Sequence, residues 1–166
     1  MPNVSPFDPW LMPLLAAELL VCTAVIIYID FRYMIIPDAI NLALLTGGIA
    51  FWAPEGVIAT GVACLTGAAV FGFVWLLRRI HSRATGRIGL GMGDVKLIGV
   101  AAIWLPFAVF PAFLFSASFL ALVFAITTVG SRARLHRRIP FGPFLACSLV
   151  VTWAYQHHII SLLGLS

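Results

Sequence analysis

The sequence predicts an all-α fold, a polytopic membrane helix bundle of six transmembrane helices forming a single domain, 1–166. Three observations predict it. Of 166 residues, 62% are hydrophobic and only 10% charged, with mean hydropathy +1.08. A soluble chain of this size could not cover that much apolar surface with so few charges. Long apolar stretches follow one another along the chain, and the basic residues gather in alternate connections between them.

The first residues, 1–9, contain one acid, Asp8, and no Lys or Arg, so they lack the basic region of a secretory signal. Apolar segments then run over 10–29, 39–52, 57–77, 95–110, 112–129 and 141–160. A full crossing takes roughly 17–25 residues, so the second and fourth are short. At about 1.5 Å per residue the fourth covers about 24 Å. Either it continues past those bounds or the bilayer thins beside it.

All ten Lys and Arg fall in three connections: Arg32 after the first span, Arg78, Arg79, Arg83, Arg87 and Lys96 around the third, and Arg132, Arg134, Arg137 and Arg138 after the fifth. Six alternating spans put these on one side, which the positive-inside rule makes cytoplasmic, with both termini outside. Trp10, Trp52, Trp104 and Trp153 then fall towards the outer leaflet and Trp75 at the inner one, as an aromatic belt. The third span carries Ala59, Ala63 and Gly67 at four-residue steps beside Thr60, Cys64, Ala68 and Gly72. Small residues let backbones approach, so this span is expected at the centre of the bundle. Cys22, Cys64 and Cys147 lie within apolar runs without metal-ligand or disulfide spacing and read as small buried hydrophobes. The net charge of +4 is explained by topology and not by nucleic-acid binding.

Two acids stand out. Asp30 closes the first apolar segment, and Asp94 opens the fourth within Gly89-Leu90-Gly91-Met92-Gly93-Asp94-Val95-Lys96. Two complete spans lie between them, so both belong to the cytoplasmic interface. Ionisable groups at membrane depth are costly and mark candidate functional sites. Two facing carboxyl groups suffice for aspartyl proteolysis: the ionised one takes a proton from water while the protonated one polarises the carbonyl. Glycines lack a Cβ and permit close backbone approach, so a substrate peptide could lie against Gly91 and Gly93. Equally, Gly89, Gly91 and Gly93 could form a flexible loop with Asp94 as a helix N-cap. Asp30 near a helix C-terminus and Asp94 near an N-terminus would bias Asp94 towards base and Asp30 towards acid.

These residues also carry a resemblance. Asp30-Phe31-Arg32-Tyr33-Met34-Ile35-Ile36-Pro37-Asp38 resembles the first signature of the type IV prepilin peptidases. Gly91-Met92-Gly93-Asp94-Val95-Lys96-Leu97 is similar to their second, the GxGD motif of aspartyl intramembrane proteases. Ile139-Pro140-Phe141-Gly142-Pro143-Phe144-Leu145-Ala146 resembles a third. The resemblance implies a prepilin leader peptidase of the bacterial inner membrane, with Asp30 and Asp94 catalytic, its active site facing the cytoplasm, and a prepilin or pseudopilin as partner. It implies no metal and no small-molecule cofactor. The chain has no CxxC pair and looks like the short form lacking the N-methyltransferase region.

Other residues carry two readings each. Asp38, after Pro37, is an N-cap of the second span or a third acid tuning the pair. Lys96 snorkels to headgroups or holds an acidic group of the substrate or Asp94. Glu18 lies roughly 18 Å from Asp30 along a helix, too far to join the two acids. His157 and His158 read as interfacial residues, and the run from Arg132 to Arg138 as a contact for anionic headgroups. Two rival functions stay open: a small transporter using Asp30 and Asp94 as proton relays, and a non-catalytic assembly factor of a pilus or secretion system.

Overall fold

The computed structural model describes residues 10–86, 89–128 and 140–164, and among these the only regular structure is helical. The helices are α1 (Leu11–Tyr33), α2 (Asp38–Trp52), α3 (Val57–Thr85), α4 (Met92–Trp104), α5 (Phe110–Thr128), α6 (Gly142–Ala154) and α7 (Gln156–Leu162), with a single 3₁₀ turn at Ala53–Glu55. Three of them, α1, α3 and α5, are long and apolar enough to cross a membrane. Arg87 and the segment with Arg132, Arg134, Arg137 and Arg138 lie outside the described residues, as do Asp8 and Ile139.

Helix bounds depart from the apolar runs for identifiable reasons. Helix α1 continues one turn past its apolar run, because Asp30 and Arg32 remain helical until Met34 adopts a left-handed conformation (φ 55°) and stops it. Charge does not end α3 either, which carries Arg78, Arg79 and Arg83 to a left-handed Gly86. Helix α4 ends early, at Trp104. Leu105 precedes Pro106 and is extended (φ −111°, ψ 135°), the region to which a following proline ring drives its neighbour. Its 13 residues make about 20 Å of helix, shorter than its apolar run suggested. The last apolar run, 141–160, is two helices broken at Tyr155.

The centre of the bundle is α4, not α3. From Val95 to Trp104 every residue but Lys96 is buried, whereas α3 buries only Ala63 and Gly67. Small residues on α3 do make a close seam, but on one side. A Cβ at Gly67 would run into Ile103, and one at Gly99 of α4 would lie 2.7 Å from Cβ of Phe71. Trp52, Trp104 and Trp153 gather around Phe51 at one end of the bundle, with Trp104 turned inward. Trp104 is fully buried, and it packs with Phe51 and Trp153 at ring separations of 5.9 and 6.0 Å. Trp104 and Trp52 donate their indole N–H groups to the carbonyls of Leu44 and Ile103, each at 2.7 Å. Only Trp10 is largely exposed. Trp75 carries Arg79 over its ring at 5.1 Å.

These contacts fix the relative direction of the helices. The ends of α2, α4 and α6 meet in the aromatic cluster around Phe51, Trp104 and Trp153. At the opposite end of the bundle the end of α1 meets the start of α6, through Asp30 and Gly142. There the end of α3 also meets the loop before α4, through Arg78 and Leu90. The end of α5 joins them through Phe124, against Phe31 and Phe144. That second end carries both acids.

Candidate active site

Asp94 is the third residue of α4. Gly91 is the N-cap, with extended backbone (φ −65°, ψ 152°), and its N–H donates back to the Asp94 carboxylate. This is the acidic half of a capping box, in which a side chain at the third position satisfies the N-cap N–H. Asp94 is therefore in the first turn without being the N-cap. The loop before it is clamped from α3. Arg78 donates Nε–H to the Leu90 carbonyl at 2.8 Å, and the His81 ring lies where a Cβ on Gly89 would be 3.1 Å away.

Asp30 sits in the last turn of α1 and is 5% exposed. Its Oδ2 accepts the backbone N–H of Gly142 at 3.1 Å, across 112 positions of sequence. Gly142 is the first residue of α6, so that N–H is one of the donors a helix start leaves free. The expected position of Asp30 near a helix C-terminus has a second influence beside it. Asp30 lies at the C-terminal end of α1 but is also held by the N-terminal end of α6, which favours negative charge.

Ile36 links the two acids. A Cβ at Gly93 would lie 2.9 Å from Ile36 Cβ, and a Cβ at Gly142 would lie 2.9 Å from Ile36 Cδ1 and 2.8 Å from Asp30 Oδ2. One buried isoleucine therefore fills the space that two glycines leave, one beside each acid. The carboxyl groups are near enough for the Asp30 charge to act on Asp94. Close approach is the role of these glycines, but the approaching groups are the protein's own. Gly93 faces Ile36, and the space beside Gly91 is taken by Oδ2 of Asp94.

The remaining residues resolve differently from their first readings. Pro37, and not Asp38, is the N-cap of α2, and Asp38 makes no capping bond. Asp38 Oδ1 instead accepts from Nζ of Lys96 at 2.6 Å, joining the start of α2 to the start of α4. Lys96 is thereby engaged by Asp38. Glu18 lies about a third of the way along α1, over Gly47 of α2, where a Cβ would collide with its carboxylate. His157 and His158 are exposed on α7. Cys22 is buried, while Cys64 and Cys147 are half-buried, and all three are free. Two participants escaped the sequence reading: Gly142, although the third motif contains it, and Arg78, which read only as a topology signal.

The fold and the site define a class: a helical protein with membrane-length apolar helices and two carboxyl groups gathered at one end of its bundle. The chain belongs to the Type IV leader peptidase family, which residues 17–126 match. It is 34% identical over 134 residues to a prepilin leader peptidase/N-methyltransferase of Aeromonas salmonicida, covering 80% of this chain and 46% of that one. The protein of the same description from Neisseria gonorrhoeae is 33% identical over 132 residues, 78% of this chain and 45% of the relative. That from Escherichia coli K12 is 32% identical over 127 residues, 76% and 56% respectively. The chain spans about half the length of the curated relatives it matches. No solved structure matches it.

Proposed function

We propose that the chain is a prepilin leader peptidase of the aspartyl, GxGD type, cutting the leader of a prepilin or pseudopilin at the cytoplasmic face of a bacterial inner membrane. The observation that carries this reading is the wedge of Ile36 between Gly93 and Gly142, which draws Asp94 and Asp30 to one end of the bundle. In the reaction the ionised carboxylate of the pair removes a proton from water, and the water oxygen bonds to the scissile carbonyl carbon. The protonated carboxyl gives its proton to the carbonyl oxygen. Collapse of the resulting gem-diol breaks the C–N bond: the amine leaves with a proton returned by the acid formed in the first step, and one gem-diol hydroxyl gives its proton back to the other carboxylate. The two groups titrate as a unit, since two carboxylates side by side cannot both stay ionised at low cost.

Six crossings accommodate the helices if α2, α4 and α6 are the short members, packed among α1, α3 and α5. The alternating direction of α1 to α6 supports that topology, and the basic residues of its acid-bearing end support a cytoplasmic site. Under this reading Asp30 and Asp94 are catalytic, while Gly91, Gly93, Pro37, Asp38 and Lys96 shape the surroundings. Co-expression with a prepilin tests it. The wild-type chain should give a leader-sized mobility shift that Asp94→Ala abolishes, and a shift that persists in that variant would remove the proposal.

A further inference from the structure

The arginines of α3 differ in what they touch. Arg79 lies over the Trp75 ring at 5.1 Å and Arg83 is exposed, as suits cations at a headgroup surface. Arg78 is half-buried and gives its Nε–H to a main-chain oxygen, the Leu90 carbonyl, at 2.8 Å. That carbonyl belongs to the same peptide unit as the N–H of Gly91, which donates to the Asp94 carboxylate. In a trans peptide the C=O and the N–H lie in one plane and point opposite ways. One amide is therefore held at both poles, by a cation of α3 on its oxygen and by an acid of the pair on its N–H.

We propose that Arg78 is a positioning residue for Asp94, acting through the Leu90–Gly91 peptide unit. The inference rests on the leader-peptidase reading and adds a residue to that site. Two effects run through the amide. The first is orientation. Glycines give the loop wide backbone freedom, and a turn of the peptide plane about its flanking bonds would take the Gly91 N–H away from Asp94. On either side the chain is already fixed, by the Leu90 side chain packed against the core and by the Val95 N–H on the Gly91 carbonyl at 3.2 Å. The plane between them is what Arg78 sets. The second effect is polarisation. A cation at the carbonyl oxygen makes the N–H of the same amide a stronger donor, as along any chain of hydrogen bonds. The guanidinium thus acts on the Asp94 carboxylate while its own bond is to the loop.

Replacing Arg78 separates the bond from the charge. Methionine keeps the length of the side chain without a donor. Glutamine places an uncharged N–H as many bonds from Cα as Nε, and lysine keeps both charge and a donor. In full-length chains in vesicles, with a prepilin as substrate, Arg78→Met should lower kcat about tenfold with KM within about twofold. Arg78→Gln and Arg78→Lys should each return kcat to within about threefold of wild type, and Arg79→Gln, which removes the neighbouring cation, should leave both constants unchanged. Rates are taken per folded chain, with the unfolding midpoint measured beside them. Gly91→Pro tests the path: its ring suits φ −65° but carries no N–H. It should lower kcat at least about tenfold, and adding Arg78→Met to it should cost less than about twofold more, because no N–H is left to aim. Wild-type kcat in Arg78→Met, a loss in Arg78→Gln as deep as in Arg78→Met, or a further tenfold loss on the proline background overturns the proposal, while wild-type cleavage leaves the peptidase reading intact. Failure of the wild-type chain to process the prepilin overturns both.

Discussion

Asp94 and Asp30 reach one end of the bundle by different routes. Asp94 is held locally: its bond comes from Gly91, three residues away, and its loop is clamped by Arg78 at the end of the preceding helix. Asp30 is held from a distance, by the N–H of Gly142 at the start of α6. Either way the carboxylate ends at a helix N-terminus, its own in one case and a borrowed one in the other. A carboxylate held by local geometry survives small shifts of the bundle, whereas one held by a remote helix depends on how α1 and α6 pack.

Neutralising either acid should have the largest effect and should erase the contrast. Asp30→Asn and Asp94→Asn are each expected to lower processing by roughly 10²–10⁴-fold or more, with insertion and yield in the membrane unchanged. The leader-shift assay beside a membrane-fraction blot checks both. The contrast itself is sharpened at the glycines. Gly142→Ala would put a Cβ 2.8 Å from Asp30 Oδ2, and should cost on the order of 10²-fold in kcat through misplacement of the acid. Gly91→Ala meets only Asp94, at 2.9 Å from Oδ2, whereas a Cβ at Gly142 also meets Ile36 Cδ1 at 2.9 Å, so Gly91→Ala should cost clearly less. Equal losses would show that both acids are held with the same rigidity.

Gly93→Ala acts on the wedge between them. Its Cβ would meet Ile36 at Cβ, close to the backbone, so overpacking should destabilise the fold by about 1–3 kcal/mol, read as a lowered unfolding midpoint in detergent. Pairing it with Ile36→Val should recover part of the loss. The smallest effect is expected at the exposed ion pair. Asp38→Asn removes one partner of Lys96 in a setting where such pairs contribute about 0–1 kcal/mol, so substantial processing should remain. A loss as deep as that of Asp94→Asn would make Asp38 a third member of the acid group.

Much of this was legible in the chain before folding. The two acids, the Gly-rich loop and the helical, membrane-bound character followed from composition and from acids standing at the ends of apolar runs. The early end of α4 was missed although it had a signal: the apolar run 95–110 was carried through Pro106, which restrains Leu105. Other features depend on contacts that one sequence does not contain. The small residues of α3 announce a close neighbour but not on how many sides, and the close neighbour is α4 alone at Gly67 and Gly99. The tryptophans marked the ends of spans, yet Trp104 turns inward because α4 is surrounded. The Gly142 bond to Asp30 could not be read at all. A backbone N–H has no sequence signature, and its value comes from two helix ends meeting across most of the chain.

The central claim is that Asp30 and Asp94 share one site, and a short cross-link tests it most directly. In full-length chains with Cys22, Cys64 and Cys147 replaced by alanine, Asp30→Cys and Asp94→Cys are introduced together and treated in membranes with a short thiol-bridging reagent. Digestion and mass spectrometry then look for a linked peptide. A 30–94 linkage in good yield, absent from each single-cysteine chain, is the predicted result. Efficient labelling of both thiols with no linkage, or labelling of the two from opposite faces of the membrane, would contradict it.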